Sequence, residues 1–210
     1  MPALYWPRRL APHHERSTSM DFAALAAQVK DWGREFGFQK LGIAAVDLPN
    51  DERRLMAWLA AGRHGEMEYM ARHGAKRARP PELVPGTLRV ISARMDYWPA
   101  AADPDAVLAD PALGYVSRYA LGRDYHKLVR PRLARLAARL AAAAGTAGLR
   151  AFTDSAPVLE KALARDAGLG WIGKHTNLLD RHDGSWFFLG EIFTDLPLPV
   201  DPPVTAHCGS

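Results

Sequence analysis

The period of the hydrophobic pattern changes repeatedly along the chain, and this change limits the possible folds more than any other feature. Apolar residues fall at helical spacing in some segments and form short apolar or alternating runs in others. The patterns predict helices over 20–37, 51–62, 66–73, 124–145 and 156–168, and strands over 39–46, 87–97, 149–154 and 185–196. Interleaved helices and strands favour an α/β fold, so we expect a layered mixed sheet flanked by helices.

Length, cysteine use and charge narrow the class of protein further. The 210 residues are 48% hydrophobic, which suffices for one good core. The single cysteine, Cys208, excludes a disulfide scaffold, and the sequence has no apolar run of membrane-spanning length. Residues 1–19 lack the apolar centre of a signal peptide, so we predict a disordered extension and a cytoplasmic location. The net charge of +4 permits a polyanionic partner such as RNA, but solubility explains it equally well.

The stretch DSAPVLEK, residues 154–161, places an acid between a predicted strand and a predicted helix. Asp154 is a poor helix cap because Pro157 lacks the N–H that it would accept. Ser155 is the expected cap, accepting from the Val158 N–H. The Asp154 carboxylate is then uncommitted at a sheet edge of the kind where α/β proteins bind ligands. Two interpretations stay open: a functional acid, or an acid that favours the helix dipole or pairs with an arginine.

The following glycines match G-x-G-x-x-G only formally. Residues 168–173 come after a predicted helix rather than a strand, so we do not predict a dinucleotide site. Gly168 is instead the expected end of that helix. The polar residues Lys174, His175 and Asn177 come next, on a segment that is either the wall of a site or an ordinary surface loop.

Basic and aromatic residues alternate in SRYALGRDYHKL, residues 117–128. Such a cluster suits anions or RNA, and it equally suits the solvated entry of a helix. Zinc is not predicted, because metal-ligand spacing is lacking among His64, His73, His126 and His182. The motifs G-x-S-x-G and S-x-x-K do not occur, which argues against the common serine hydrolases.

Six segments in this order together resemble the epoxyqueuosine reductase family. They are HGEMEYMARH, RPPELVPGTLRVIS, YVSRYALGRDYHKL, DSAPVLEKALARDAGLGWIGKHTNLL, GSWFFLGEIFTDLPL and HCGS. The resemblance covers Met20 to Ser210 and implies an iron–sulfur, cobalamin-dependent oxidoreductase of nitroreductase-like fold. It implies reduction of epoxyqueuosine to queuosine at the wobble position of tRNA, the last step of queuosine synthesis. It also implies a monomer, and the electron donor is left open.

The resemblance also assigns roles to individual residues. Asp154 matches the family's proposed general acid, which burial against a corrin would keep protonated. A base of the RNA could stack on Tyr119 or Tyr125. The implied cobalamin contacts are Arg77, Ser117, Asp154, Leu178 and Leu189, with His175 and Asn177 beside them.

The domain assignment also follows from the resemblance. Residues 20–196 are expected to form the cobalamin-binding domain, and the proline-rich residues 197–210 a linker and the start of a ferredoxin-like module. Cys208 matches the first ligand of a [4Fe–4S] motif, C-x₂-C-x₂-C-x₃-C-P, whose other cysteines do not occur here. We therefore expect an N-terminal fragment that lacks the electron relay and is inactive alone. The alternatives are a non-catalytic cobalamin- or tRNA-binding module and a flavin-dependent nitroreductase-like enzyme.

Overall fold

The computed structural model describes residues 20–98, 101–145 and 148–209. The extension predicted over 1–19 and the terminal Ser210 lie outside these residues. The helices are α1 (Phe22–Glu35), α2 (Pro49–Ala60), α3 (Glu68–His73), α4 (Pro80–Leu83), α5 (Pro104–Ala109), α6 (His126–Ala144) and α7 (Glu160–Asp166). The strands are β1 (Lys40–Ala44), β2 (Arg89–Asp96), β3 (Leu149–Phe152), β4 (Trp171–Ile172), β5 (Leu178–Leu179) and β6 (Phe187–Thr194). Within the described ranges, none of the helices combines the length and apolar character needed to cross a bilayer.

The main sheet has four strands in the order β1-β2-β6-β3, and helices cover both of its faces. The layered α/β class is therefore confirmed. Every neighbouring pair in this sheet runs antiparallel, where a mixed sheet was expected. Strand direction depends on how each helical connection returns the chain to the sheet. Hydrophobic periodicity locates strands but contains no information about that return.

The two central strands, β2 and β6, are buried on both faces. Ile91 and Ile192 pack with α1 and α6, while Val90 and Phe193 pack with α7 on the opposite face. This division follows from the two-residue repeat of a strand, which sends successive side chains to opposite sides. Glu191 is fully buried within the same stretch of β6, which makes it an exception among apolar neighbours.

Helix α7 begins later than predicted, and Ser155 is not its cap. The helix starts at Glu160 without a side-chain cap, and the Val158 N–H donates to the Ala156 carbonyl at 2.8 Å. The Leu159 N–H donates to the carbonyl of Arg77 at 3.2 Å, so a tertiary contact replaces the first helical turn. The Ser155 hydroxyl instead accepts from Arg130. The predicted helix end is confirmed, since Gly168 follows the last turn with a φ of 74°.

The segment after α7 was predicted as a loop, but it contains a small hairpin. Trp171 and Ile172 pair with Leu179 and Leu178 in a second, two-stranded sheet. Residues 174–177, which include the polar residues of the predicted loop, form the tip of this hairpin. Two-residue strands are too short to show a period, which is why the pattern did not indicate them.

The segment that follows β6 packs against the domain before it becomes exposed. Leu198 is fully buried, and its carbonyl accepts from Arg89 at 2.8 Å. Asp201 bonds Lys30 at 2.5 Å and the N–H of Ile43 at 2.8 Å. The domain boundary at residue 196 stays a prediction.

A close approach of two backbones makes Gly42 necessary in β1. A Cβ atom at this position would overlap the carbonyl oxygen of Ala167, at the end of α7. The side chain of Leu169 also lies within contact distance of that position. Helix α7 can therefore rest on the sheet only if residue 42 has no side chain.

We expect Gly42→Ala to lower the free energy of unfolding by about 2–3 kcal/mol, because α7 must move away from β1. Urea denaturation followed by circular dichroism measures this loss. Gly114→Ala is the matched control, since nothing described lies within 4 Å of its Cβ position. Equal midpoints for the two variants would contradict the packing argument.

Candidate active site

Asp154 lies just beyond β3 in a strained turn. Its φ is 55°, in the left-handed region, and the Ser155 N–H donates to the Thr153 carbonyl at 2.6 Å across it. This conformation costs an L-residue about 1–2 kcal/mol, although aspartate tolerates it better than most. The turn is anchored on one side by the Thr153 hydroxyl, which donates to the Leu189 carbonyl at 3.0 Å. Strain of this kind is found most often at functional sites.

The Asp154 carboxylate is held by two residues at the start of α6. The Tyr125 hydroxyl donates to Oδ2, and His126 Nε2 lies 3.6 Å from the same oxygen. Burial and the bond to Asp154 raise the pKa of Tyr125, so its hydroxyl stays a donor. On its other side, His126 Nδ1 is 2.8 Å from Asp124, and this hydrogen bond lowers the pKa of Asp124. The Asp154 side chain is 57% exposed, so the burial expected for it is not found in the protein alone.

A line of aromatic rings leads from this carboxylate to the surface, and we name it the aromatic stack. Its members, in order, are His126, Tyr125, Phe188, Tyr97, Trp186 and Trp98. The ring centroids of Tyr125 and Phe188 are 4.0 Å apart and the planes differ by 4°. At the far end Trp98 is 60% exposed, and the Arg118 guanidinium lies 4.3 Å above its ring. The stack joins the acid to an exposed aromatic and basic surface.

Two further carboxyl groups lie behind Asp154, and the sequence analysis missed both. Glu160 Oε1 accepts the Asp154 N–H at 2.7 Å. Burial raises the pKa of Glu160 to about 7; the hydrogen bond from Asp154 opposes this rise, whereas the Asp154 charge adds to it. Glu191 accepts from the Ser92 hydroxyl at 2.5 Å. Burial, and then the charge of Glu160, raise the pKa of Glu191 well above its usual range.

A cavity of about 470 Å³ opens beside these carboxyl groups. Asp154, Glu160 and Lys161 contribute polar groups to its lining, and Leu55, Val158 and Ile172 contribute apolar walls. Acids beside an apolar wall, with a hydroxyl donor in place, can exchange protons with a bound molecule.

Of the predicted site residues, Asp154 lines this cavity, and others are joined to its wall by hydrogen bonds. Lys161 Nζ donates to Asn177 Oδ1 at 2.9 Å, so the hairpin tip is tied to the cavity wall. His175 is exposed on the same tip, and Leu178 is buried in β5 below it. Leu189 is half-buried and joined to the Asp154 turn through Thr153. Their roles as cofactor contacts stay predictions.

Arg77 and Ser117, the other predicted contacts, do not line the cavity either. Arg77 is buried, and its guanidinium donates to the carbonyls of Tyr69 at 2.7 Å and Met70 at 3.3 Å. Burial lowers the pKa of Arg77. Its observed contacts hold the backbone of α3. Ser117 is exposed and directly precedes Arg118, at the outer end of the aromatic stack.

Cys208 is exposed, and its Sγ accepts from the Trp171 indole N–H at 3.3 Å. Over the described ranges, His, Cys, Asp and Glu side chains form no group of three or more that could hold a metal. One thiolate cannot hold a [4Fe–4S] cluster, so these residues do not form such a site. The role of Cys208 as a ligand stays a prediction.

Comparison with known proteins identifies the family. The family model "Epoxyqueuosine reductase QueG, DUF1730" matches residues 77–155. The epoxyqueuosine reductase of Pseudomonas aeruginosa is 64% identical over 190 residues, which are 90% of this chain and 53% of that protein. The chain belongs to the epoxyqueuosine reductase family. It spans about half the length of the curated epoxyqueuosine reductases that it matches.

Solved structures support the fold. A selenomethionine-labelled epoxyqueuosine reductase has a TM-score of 0.78 at 23% identity, covering 90% of this chain and 50% of that one. An epoxyqueuosine reductase with an epoxyqueuosine-modified tRNA-Tyr stem loop has a TM-score of 0.73 at 22% identity, with the same coverage. A reductive dehalogenase, whose structure suggests a mechanism for B12-dependent dehalogenation, has a TM-score of 0.53 at 18% identity. That match covers 91% of this chain and 22% of the dehalogenase.

The pKa of Glu160 generates a stability prediction. The pKa of Glu160 is about 7 in the folded protein and lies above its ordinary value of 4.5. The folded state therefore binds this proton more tightly than the unfolded chain does. The stabilisation that Glu160 contributes to the folded state is therefore fully present below pH 4.5, and it is lost as the pH rises through 7. The difference in unfolding free energy between Glu160→Gln and the wild type should therefore shift in favour of the variant by on the order of 1–3 kcal/mol from pH 5 to pH 8.

Urea unfolding at both pH values measures this difference. Glu68→Gln is the control for the exchange of glutamate for glutamine, because Glu68 is an exposed acid on α3. A Glu160→Gln curve parallel to that of the wild type would show that Glu160 ionises normally.

Proposed function

We propose that this chain is the cobalamin-binding, catalytic part of an epoxyqueuosine reductase. Such an enzyme reduces the epoxide of epoxyqueuosine in tRNA to the alkene of queuosine. The similarity to epoxyqueuosine reductases over nine-tenths of the chain supports the reaction class. The observation that carries the proposal is Asp154 itself, held in a strained turn with its carboxylate at the mouth of a cavity. Because the proposed substrate is tRNA, we place the protein in the cytoplasm, and we propose that it is a monomer.

Asp154 is the proposed proton donor. Conversion of an epoxide to an alkene and water consumes two electrons and two protons, and the oxygen leaves only if it is protonated. The Tyr125 hydroxyl fixes the orientation of the carboxyl group, and its raised pKa keeps the proton on the tyrosine. His126, which bridges Asp154 and Asp124, is placed to return a proton after each turnover.

Cobalamin would supply the electrons at its reduced cobalt centre. A cavity of about 470 Å³ is too small to enclose a whole corrinoid. The described residues would therefore hold only one edge of the cofactor. Exposed Ser117, His175 and Asn177 could bond the amide groups at the rim of the ring, and Leu189 could contact its apolar face. The dehalogenase of similar fold, described as B12-dependent, adds support. We assign Arg77 and Leu178 to positioning, since the first bonds α3 and the second packs under β5.

The electron supply must come from outside the described residues. Cys208 would contribute a single ligand to a [4Fe–4S] cluster, and we propose that the remaining ligands belong to a ferredoxin-like module. Residues 20–196 would then be the cobalamin-binding domain. This chain alone is expected to bind its cofactor without turning over.

We further propose that the exposed end of the aromatic stack binds the RNA. Trp98 and Trp186 are 60% and 43% exposed, and the Arg118 guanidinium over Trp98 adds positive charge. Tyr119, which is 54% exposed, remains a candidate for stacking on a base. Tyr125 does not, because both of its faces are already covered by His126 and Phe188. The stem-loop complex of a related reductase supports RNA as the partner.

The central test uses Asp154→Asn. In a complete reductase carrying this domain, the substitution should lower epoxide reduction at least 10²-fold, because the amide cannot donate the required proton. The 210-residue chain, wild type or variant, should retain corrin absorbance after incubation with hydroxocobalamin and desalting. Loss of cobalamin from the variant would make Asp154 a binding residue instead.

Four other results would overturn parts of the proposal. Full activity of Asp154→Asn would remove the acid from the mechanism. Absence of corrin bands from the wild-type chain would remove the cofactor, and bound flavin would favour a nitroreductase-like enzyme. Cobalamin binding together with a complete form that never reduces the epoxide would favour a non-catalytic binding module.

The RNA surface predicts an effect of Trp98→Ala. Loss of one stacking ring should weaken binding of an anticodon stem loop by about 5- to 150-fold, equivalent to about 1–3 kcal/mol. Fluorescence anisotropy with a labelled stem loop measures the change. Leu108→Ala, which removes an exposed apolar side chain on α5, should leave affinity unchanged. Equal affinities of the wild type and Trp98→Ala would contradict stacking at this position.

A further inference from the structure

The Asp154 turn depends on contacts from outside itself. A residue with a φ of 55° relaxes toward the ordinary right-handed or extended regions unless its neighbours prevent it. Such a relaxation would redirect the side chain and carry the carboxylate away from Tyr125. The side-chain contacts to Tyr125 and His126 hold only the carboxylate, which is largely exposed. The Thr153 hydroxyl anchors the residue before the turn, but the backbone of Asp154 itself needs a further contact.

Glu160 provides this backbone anchor. Its Oε1 accepts the Asp154 N–H at 2.7 Å, a bond that spans six residues. Glu160 is the first residue of α7, and the next turn of that helix is fixed in the core by Ala162, Leu163 and Ala164, all of which are buried. A carboxylate on so rigid a support can hold a strained turn, whereas one on a mobile loop could not.

The surroundings of Glu160 allow its charge to change near neutral pH. The titratable groups around it are Asp154 in the turn, His126 and Tyr125 on α6, and the buried Glu191 on β6. The charge of Asp154 disfavours the ionised form of Glu160, and His126 favours it. An ionised carboxylate accepts an N–H more strongly than a protonated one does. The hydrogen bond from the Asp154 N–H to Glu160 is therefore stronger when Glu160 is charged and weaker when it is neutral.

We propose that Glu160 is a positioning residue that latches the Asp154 turn through its backbone, so that the proton donor faces the cavity only while the latch is closed. This inference deepens the proposed function and rests on it for its catalytic consequence. The latch is also coupled to the donor. When Asp154 gives up its proton, its negative charge favours protonation of Glu160, so each turnover works to loosen the turn.

Amide exchange of the ¹⁵N-labelled 210-residue chain tests the latch directly. In Glu160→Ala the Asp154 amide should exchange at least tenfold faster than in the wild type, after correction for intrinsic rates. Lys161→Ala is the matched control, because the neighbouring side chain bonds Thr176 and Asn177 rather than the turn. An unchanged Asp154 amide in folded Glu160→Ala would overturn the proposal.

A second measurement covers the case in which Glu160→Ala does not fold. In the wild type, the ¹⁵N shift of Asp154 should titrate with a midpoint near pH 7, and this step should vanish in Glu160→Gln, which keeps an acceptor oxygen but no charge. A step that persists in Glu160→Gln, or no step in the wild type, would contradict the latch.

Kinetics of the complete reductase separate this inference from the function on which it rests. Glu160→Ala should lower kcat at least tenfold with little change in KM for the tRNA, and Glu160→Gln should restore part of kcat without the pH step. If Asp154→Asn abolishes activity while Glu160→Ala changes neither kcat nor the amide, the latch is wrong and the proposed function stands. If the amide responds but Asp154→Asn stays active, the latch stands and the proposed acid is wrong.

Discussion

The pairing of β6 with its two neighbours is the constraint on which the rest of the molecule depends. Strand β6 bonds β2 on one side and β3 on the other, and three of its residues contact groups of the site. Phe188 joins the aromatic stack, the Leu189 carbonyl anchors the Asp154 turn, and Glu191 lies behind Glu160. At Gly190 a side chain would meet Leu133 of α6 and the hydroxyl of Thr153. A shift of β6 by one residue would separate all of these groups together, since it would exchange the two faces of the strand.

The site divides its acids by environment. Asp154 is exposed and in contact with a hydroxyl donor, whereas Glu191 is sealed between two layers, where burial raises its pKa. Glu160 lies between them in position and in behaviour, and its pKa of about 7 places its ionisation at physiological pH. Groups of the same chemistry thereby acquire different tasks, because burial and mutual repulsion set how readily each one holds a proton.

Much of the fold could be predicted from the sequence, and the reasons for the exceptions are physical. The helix over 22–35 and the strands over 89–96 and 187–194 follow strong periods that survive in the structure. The late start of α7 could not be predicted, because the Arg77 carbonyl that binds Leu159 is distant in sequence. Asp154 was found by eliminating a capping role. Glu160 was missed because an acid at a helix start looks ordinary, although a lone glutamate within the apolar run FFLGEIF does signal a buried carboxyl group at Glu191.

The hairpin of β4 and β5 also holds the last described residues. The indole of Trp171 bonds the Cys208 thiol, and Lys174 at the hairpin tip bonds the Gly209 carbonyl at 2.7 Å. The same tip reaches Lys161, the immediate neighbour of Glu160 in α7. If Cys208 ligates the proposed cluster, the hairpin that bonds both the thiol and Lys161 would fix the position of that cluster relative to the cavity.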